Sequence, residues 1–340
     1  MFKNLKKTLI IAEVGVNHNS RLSNAFKLVD EAKNCGADYV KFQSFRAEFL
    51  ATKNTPKVDY QKKNLGSNIS HYNMLKKLEL TFEEQIKIFQ YCKKKKIGFV
   101  STPYDSKSAE FLKKLQVKFL KVSSADIVDK ILHEKISKLK LPVIISTGMS
   151  SMRDITEVLK IYKKNQFKKE IALLHCVSNY PCSNESQNLR AISTLYKKFN
   201  KTIGYSDHSN EKFTSVCAVS LGAKILEKHL TLSTNLNGPD HRSSLNPKQF
   251  KHYVENIRIV EKILGDDKKI CQPEEISMKN ISRKSLYFAR DLERGVKLKF
   301  QDFVSLRPGF GISPMEINKF LNKKLKVDVK KNTIFKKKYL

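Results

Sequence analysis

Apolar runs and amphipathic stretches alternate along most of this chain. Short β-branched or apolar runs fall at Leu9–Val16, Tyr39–Phe45, Ile97–Thr102, Phe119–Ser123, Val143–Thr147, Ile171–Val177, Ile203–Ser206 and Ile225–Leu230. Between them apolar positions recur at helical spacing, over Ala25–Lys33, Phe82–Lys95, Ser106–Leu115, Ile131–Leu139, Ile155–Lys163, Leu189–Lys198 and Phe213–Leu221. Pro247–Leu264 follows the last run with the same spacing. Short apolar runs predict strands, and the 3.6-residue period between them predicts helices that cover those strands. Eight such units predict an α/β fold, a closed (β/α)8 TIM barrel. An open doubly wound sheet also alternates this way, but no GxGxxG follows the first strand.

Two segments break the pattern. Glu48 to Leu80, between the second strand and its helix, is polar and rich in Asn and Lys. It is predicted to be a long loop at the face where barrel enzymes keep their active sites. After Leu264 the alternation stops. Residues 266–283 are expected to be a linker between a barrel domain at 1–265 and a small domain at 284–340. Short strands and turns are predicted there at Ser285–Ala289, Gly295, Arg307-Pro308-Gly309 and Lys324–Val329. A β-rich unit of this size is marginal alone and is expected to dock on a larger body.

In a barrel the reacting groups sit at the C-terminal ends of the strands, and alternate strand residues point inward. Polar residues gather at that end of every predicted strand: Glu13; Lys41 and Gln43; Thr102; Lys121 with Ser124; Ser146; His175; Ser206 and His208; Glu227 and His229. Buried polar groups cost free energy unless paired, so an inert core does not need them. His208 and His229 end adjacent strands, and two imidazoles with open positions suit a divalent metal that polarises a carbonyl. A hydrogen-bonded pair of core histidines is the other reading. His18 and His175 are read as structural. Lys41 and Lys121, with the hydroxyls of Thr102, Ser124, Ser146 and Ser206, can hold a phosphate and a carboxylate together. Taken singly, each Ser or Thr is equally a turn or cap residue. Glu13 is a general acid/base or the counter-ion of a lysine.

Composition adds less than it promises. The 340 residues carry a formal charge of +32, but 55 of the 65 basic residues are Lys and ten are Arg. Lysine runs without aromatics describe a solvated surface better than a nucleic-acid reader, so no nucleic-acid partner is expected. The charge would still attract a small anionic substrate. Six cysteines show no CxxC spacing, and buried reduced thiols are expected. No apolar run is long enough for a membrane span or a signal-peptide core, so a cytoplasmic protein without a membrane partner is expected.

Read together, IAEVGVNHN (11–19), GADYVKFQSF (36–45), KKLEL (76–80), FVSTPYD (99–105), ISTGMSS (145–151), LLHCVSNYP (173–181), IGYSDHS (203–209), ILEKHLTL (225–232), GPDHRSSLNP (238–247) and RPGFGISPMEI (307–317) resemble the sialic acid (nonulosonate) synthase family. The resemblance implies a (β/α)8 barrel followed by a small C-terminal antifreeze-like (SAF) domain. It implies a transferase of carbohydrate biosynthesis that condenses phosphoenolpyruvate with an N-acylated mannosamine-type sugar and releases phosphate. It puts a divalent metal, Mn2+ before Mg2+ or Co2+, on His208 and His229, and the catalytic carboxylate on Glu13. Phosphoenolpyruvate contacts fall on Lys41, Thr102, Lys121, Ser124, Ser146 and Ser206. Sugar contacts fall on Tyr180 and Asp240, with Gln43 nearby, and on Arg307, carried into the neighbour's barrel of a domain-swapped homodimer. Asp126 in Ala125-Asp126, Ser178, Cys182 and Phe310 depart from the family pattern, and the departures concern substrate shape. The leading expectation is N-acetylneuraminate synthase. The alternative is N,N'-diacetyllegionaminate synthase, with 2,4-diacetamido-2,4,6-trideoxymannose as acceptor, and a pseudaminate synthase fits GPDH at 238–241 less well. A Schiff-base aldolase using Lys41 or Lys121 and a basic RNA-binding protein are the readings from other classes.

Overall fold

Each of the eight apolar runs forms a strand in the computed structural model, which describes residues 1–65 and 70–340. They are β1 (Leu9–Gly15), β2 (Tyr39–Ser44), β3 (Gly98–Pro103), β4 (Leu120–Val122), β5 (Val143–Ser146), β6 (Ile171–Cys176), β7 (Thr202–Asp207) and β8 (Ile225–His229). All pair in parallel, in the order β3-β2-β1-β8-β7-β6-β5-β4, and the end strands β3 and β4 lie side by side. The result is a nearly closed TIM-type barrel with helices outside it. First and last strands pair directly, placing Glu13 opposite His229.

Strand alternation sorts the side chains into three sets. Outward residues such as Ile10, Val40, Val122, Ile145, Leu173 and Leu226 are fully buried against the helices. Inward residues of the lower half, Leu9, Ile11, Val100, Ile144, Leu174 and Ile225, form a separate apolar cluster that Phe2 and Phe119 join. Two residues further along the same strands, the inward positions turn polar: Ile11 gives way to Glu13, Ile144 to Ser146, Ile225 to Glu227. The apolar layer fills the barrel, so the polar layer has a solid base. Gly204 is part of that fit. A Cβ there would stand 2.3 Å from the Ile225 carbonyl oxygen, closer than any side chain tolerates.

The segment after β2 differs from the expected loop. It contains short helices at Ala47–Leu50, Asp59–Leu65 and His71–Leu78. Ala47, Met74 and Leu75 are buried with Val16 and Phe45, and Leu50, Tyr72 and Leu78 pack against them, so a small apolar cluster folds this polar sequence onto the barrel. Ser70 caps the last helix by accepting from Asn73 N–H. The helix Phe82–Lys95 starts at a capping box between Thr81 and Glu84.

The chain divides into two units, Met1–Gly265 and Asp266–Leu340. In the second, β9 (Ser285–Phe288) pairs antiparallel with β10 (Phe303–Leu306) over a core of Leu286, Phe288, Leu298, Phe303, Phe320 and Phe335. Lys324–Val329, expected as a strand, makes single bridges only, Lys297 to Lys324 and Leu292 to Val329. The stretch expected as a plain linker carries a helix at Ile276–Ser282. All six cysteines are free; Cys217 and Cys271 are exposed rather than buried. No helix among the described residues is long and apolar enough to cross a membrane.

Candidate active site

Above the apolar layer lies a cavity of about 550 Å3, lined by Glu13, Lys41, Gln43, Lys121, Ser124, Ser146, Tyr180, Ser206, His208, His229 and Asp240 among others. These are candidates from seven of the eight strands or the loops after them, brought together at the C-terminal mouth of the barrel. Thr102, on the remaining strand, reaches the same layer by accepting a hydrogen bond from Lys41 Nζ at 3.1 Å. Arg307 belongs to the second unit and is exposed just beyond β10.

At the floor two lysines face two carboxylates. Lys41 Nζ is 2.8 Å from Glu13 and 3.7 Å from Glu227, and Lys121 Nζ is 3.8 Å from Glu227. Lys121 also donates to Ser146 Oγ at 2.6 Å, and Gln43 donates to Glu13 at 3.1 Å. All four charged side chains are almost wholly buried. Burial pushes the Glu13 carboxyl up to about 7; Lys41 opposes this and the Glu227 charge adds to it. Burial also raises Glu227, but Lys121 and then Lys41 outweigh it and hold that carboxyl below its ordinary value. Two carboxylates 13 and 227 thus have different protonation at neutral pH, the arrangement that separates a proton carrier from a fixed charge. Glu227 earned no role from sequence alone, although its spacing of two from His229 placed it on the inward face.

The two candidate metal ligands converge. The rings of His208 and His229 lie 5.6 Å apart, and Tyr180 packs 4.0 Å from His208 and 5.6 Å from His229. His208 Nδ1 donates to the Val177 carbonyl at 2.8 Å, which leaves Nε2 as the acceptor nitrogen. His229 Nδ1 is buried with no partner. Burial, then the His208 and Lys41 charges, pushes His229 well below the ordinary imidazole range, so its ring is neutral. Burial opposes it, but Cys176 and the Val177 carbonyl hold the His208 imidazole above its ordinary value. Once that ring gives up its proton, one imidazole oriented by a backbone carbonyl and one neutral imidazole with an unmatched nitrogen fit a divalent metal. Among the described residues no set of three or more His, Cys, Asp or Glu side chains is arranged to hold one, so the other positions would fall to water or substrate oxygen.

Ser124 Oγ accepts from Gly148 N–H at 3.0 Å. A Cβ on Gly148 would lie 2.4 Å from Ser178 Oγ and 2.8 Å from Ser124 Oγ, so glycine keeps this rim open. Ser206 Oγ donates to Glu227 at 3.1 Å. Asp126 and Ser178 both line the cavity, and Ser123 donates to Asp126 at 2.6 Å. Burial pushes the Asp126 carboxyl up to about 6. Cys182 does not line the cavity; its N–H donates to the His208 carbonyl at 2.9 Å. Phe310 is exposed in the second unit. His18 accepts from Ser20 N–H at 2.9 Å, and His175 Nε2 lies 2.7 Å from the Gln187 carbonyl oxygen.

Two residues that alternation points away from the cavity support this layer. Asp207 and Lys228 form an ion pair of 3.1 Å on the outer face of β7 and β8, with neither side chain more than 2% exposed. Asp207 also accepts from Ser209 N–H at 2.9 Å, Ser209 Oγ at 2.6 Å and Thr214 Oγ1 at 3.0 Å. The pair ties the strand ends that carry His208 and His229.

Residues 28–269 match the NeuB family and residues 283–340 match the SAF domain. The chain is 39% identical to the N,N'-diacetyllegionaminic acid synthase of Legionella pneumophila, over 95% of this chain and 92% of that one. It is 40% identical to the N,N'-diacetyllegionaminic acid synthase of Campylobacter jejuni, over 94% and 96%. Among solved structures it is similar to the N-acetylneuraminic acid (sialic acid) synthetase of Leptospira borgpetersenii in complex with citrate. That match has a TM-score of 0.71 and 34% identity, over 80% of this chain and 90% of that one.

Proposed function

Because the chain belongs to the NeuB family of sialic and nonulosonic acid synthases, enzymes that condense phosphoenolpyruvate with an acylated amino sugar, we propose that its acceptor is 2,4-diacetamido-2,4,6-trideoxymannose. The product is then N,N'-diacetyllegionaminate. The observation that carries this choice is the 39–40% identity, over nearly full length, to two synthases of that name. N-acetylneuraminate synthesis, the leading expectation from the sequence, becomes the second reading, favoured by the Leptospira structure at 34% identity.

The cavity supplies a part for each event. Lys41 and Lys121, backed by Thr102 and Ser146, take the phosphate and carboxylate of phosphoenolpyruvate, with Ser124 and Ser206 as further donors. Glu227 balances both lysines without itself taking a proton. Gln43, Tyr180 and Asp240 line the space left for the open-chain sugar. C3 of phosphoenolpyruvate bonds to the aldehyde carbon, whose oxygen takes a proton to become a hydroxyl. C2 becomes cationic and water adds there with loss of a proton, and the C2–O bond to phosphate then breaks as the new C2 hydroxyl gives up its proton to leave the ketone. Glu13, with its carboxyl near 7, is poised to accept the proton of that water. His208 and His229 would hold a divalent metal, Mn2+ for preference, whose chemistry when bound is to polarise the aldehyde oxygen. Arg307 serves a partner subunit's cavity in a domain-swapped homodimer, a reading supported by its RPG motif and tested below.

The test is phosphate release from phosphoenolpyruvate with each sugar, products identified by mass, with and without chelator. Turnover of the diacetamido sugar, lost in chelator and restored by Mn2+, is expected. Turnover of N-acetylmannosamine alone would replace the first reading by the second. Full activity in excess chelator, with borohydride trapping of pyruvate on Lys41 or Lys121, would replace both by an aldolase.

A further inference from the structure

The polar layer forms the floor of the cavity; one of its walls is of a different character. Leu50, Val58, Met74, Leu75 and Leu78, all from the segment inserted after β2, line it. Met74 and Leu75 anchor this wall by packing on Val16 and Phe45, so its shape is held by the barrel body. The segment also lines the cavity with Thr55, Gln61 and His71, which have partners inside it: Thr55 Oγ1 lies 3.0 Å from Thr52 Oγ1, and Gln61 Oε1 lies 3.2 Å from His71 Nδ1. Burial, then the nearby Lys57 charge, lowers the His71 imidazole below its ordinary value, so it adds no positive charge to the wall. Among the described lining residues the lysines are Lys41 and Lys121, both at the floor and both engaged with carboxylates. The carboxyl groups that line the cavity away from the floor are those of Asp126 and Asp240.

A six-carbon acceptor whose aldehyde end meets the floor must send its other end towards the walls. A hydroxyl placed against this apolar wall loses water without gaining a partner, and a phosphate does so at far greater cost. A methyl group is favoured there instead.

We propose that the wall formed by Leu50, Val58, Met74, Leu75 and Leu78 holds C6 of the acceptor sugar and selects a 6-deoxy terminus over a hydroxylated or phosphorylated one. This rests on the synthase reading above and adds the residues that set its specificity. The size of the effect is bounded, because a hydrophobic pocket rejects an added hydroxyl by about ten- to a hundredfold.

The experiment compares kcat/KM for three acceptors at saturating phosphoenolpyruvate. N-acetylmannosamine and 2-acetamido-2,6-dideoxymannose differ only at C6, and N-acetylmannosamine 6-phosphate carries the charged terminus. The 6-deoxy sugar should exceed N-acetylmannosamine by at least about tenfold, and the phosphorylated sugar should be poorest. Leu50→Asn and Leu78→Gln, at half-buried positions where polar side chains are tolerated, should each bring the first ratio towards one. KM for phosphoenolpyruvate, bound at the floor, is the control for global damage. A ratio near one in the parent enzyme, or a ratio unchanged in both variants, overturns the inference. Turnover of 2,4-diacetamido-2,4,6-trideoxymannose with no C6 preference overturns the inference alone. No turnover of any of the four sugars overturns the synthase reading with it.

Discussion

Lys228→Met removes one charge from the buried pair behind the candidate metal ligands while nearly preserving side-chain volume. Asp207 then keeps three hydrogen bonds, from Ser209 N–H, Ser209 Oγ and Thr214 Oγ1, but loses its counter-charge 3.1 Å away. The Ser209 carbonyl loses its lysine donor as well. Stranding one member of a buried ion pair costs about 3–5 kcal/mol, and the three surviving donors place this case at about 3 kcal/mol. With about 2.1 cal/mol/K of unfolding entropy per residue over residues 1–265, the barrel unit should melt about 5 °C lower. Urea unfolding at pH 7 measures the loss. A double-mutant cycle with Asp207→Leu isolates the pair, because the double variant leaves no stranded charge and should show about 2 kcal/mol of coupling or more. Mn2+ affinity should fall about tenfold in Lys228→Met, as for residues that orient metal ligands. A single-variant loss under about 1 kcal/mol, or a coupling near zero, would refute the claim that this pair holds the ends of β7 and β8.

Acid should destabilise the barrel through its buried neutral histidines. Burial lowers His18, His133 and His241 to about 4, so the unfolded chain takes up protons that the folded chain refuses between pH 6.5 and 4. Stability is therefore present above pH 6.5 and lost as pH falls to 4, by about 3 kcal/mol per histidine. Glu13 and Asp126, raised to about 7 and about 6, act oppositely, since their contributions are present at low pH and lost as pH rises through those values. The net loss should be about 3 kcal/mol between pH 7 and pH 4, and urea midpoints that rise on acidification would contradict it. For the dimer, Glu13→Ala and Arg307→Ala should each be weakly active, and reassembly of a mixture should leave about a quarter of all sites intact. No gain from a preparation shown to contain mixed dimers would mean that Arg307 serves no partner subunit.

The barrel was legible because its strands are buried on both sides and short, so apolar runs and their helical intervals mark every unit. The polar layer was legible because alternation fixes which strand-end residues face inward, and Lys41, Lys121, His208 and His229 lie where that rule puts them. The same rule made Asp207 and Lys228 hard to recognise. They stand on the outward face, which the helices cover and where the other strand positions are apolar, and no sequence spacing pairs residue 207 with residue 228; only the fold reveals that each buries the other. The helices of residues 47–78 were obscured because their stretches of four to eight residues span too few turns to show a period. In the second unit, Lys324–Val329 has strand-like composition but finds a partner at isolated positions only.

The register that sets Glu13 beside His229 also governs when activity can arise in the life of a single polypeptide. The proposed proton carrier is encoded near the beginning and the proposed metal ligand two-thirds of the way along, so the contact spans most of the barrel's sequence. Contacts of such separation form late and slowly in folding. A nascent chain whose translation stops before β8 would hold every phosphoenolpyruvate contact and still be inert, rather than weakly active. Turnover is therefore a reporter of ring closure, and the moment a ribosome delivers Ile225–His229 is the earliest at which this chain can begin to work.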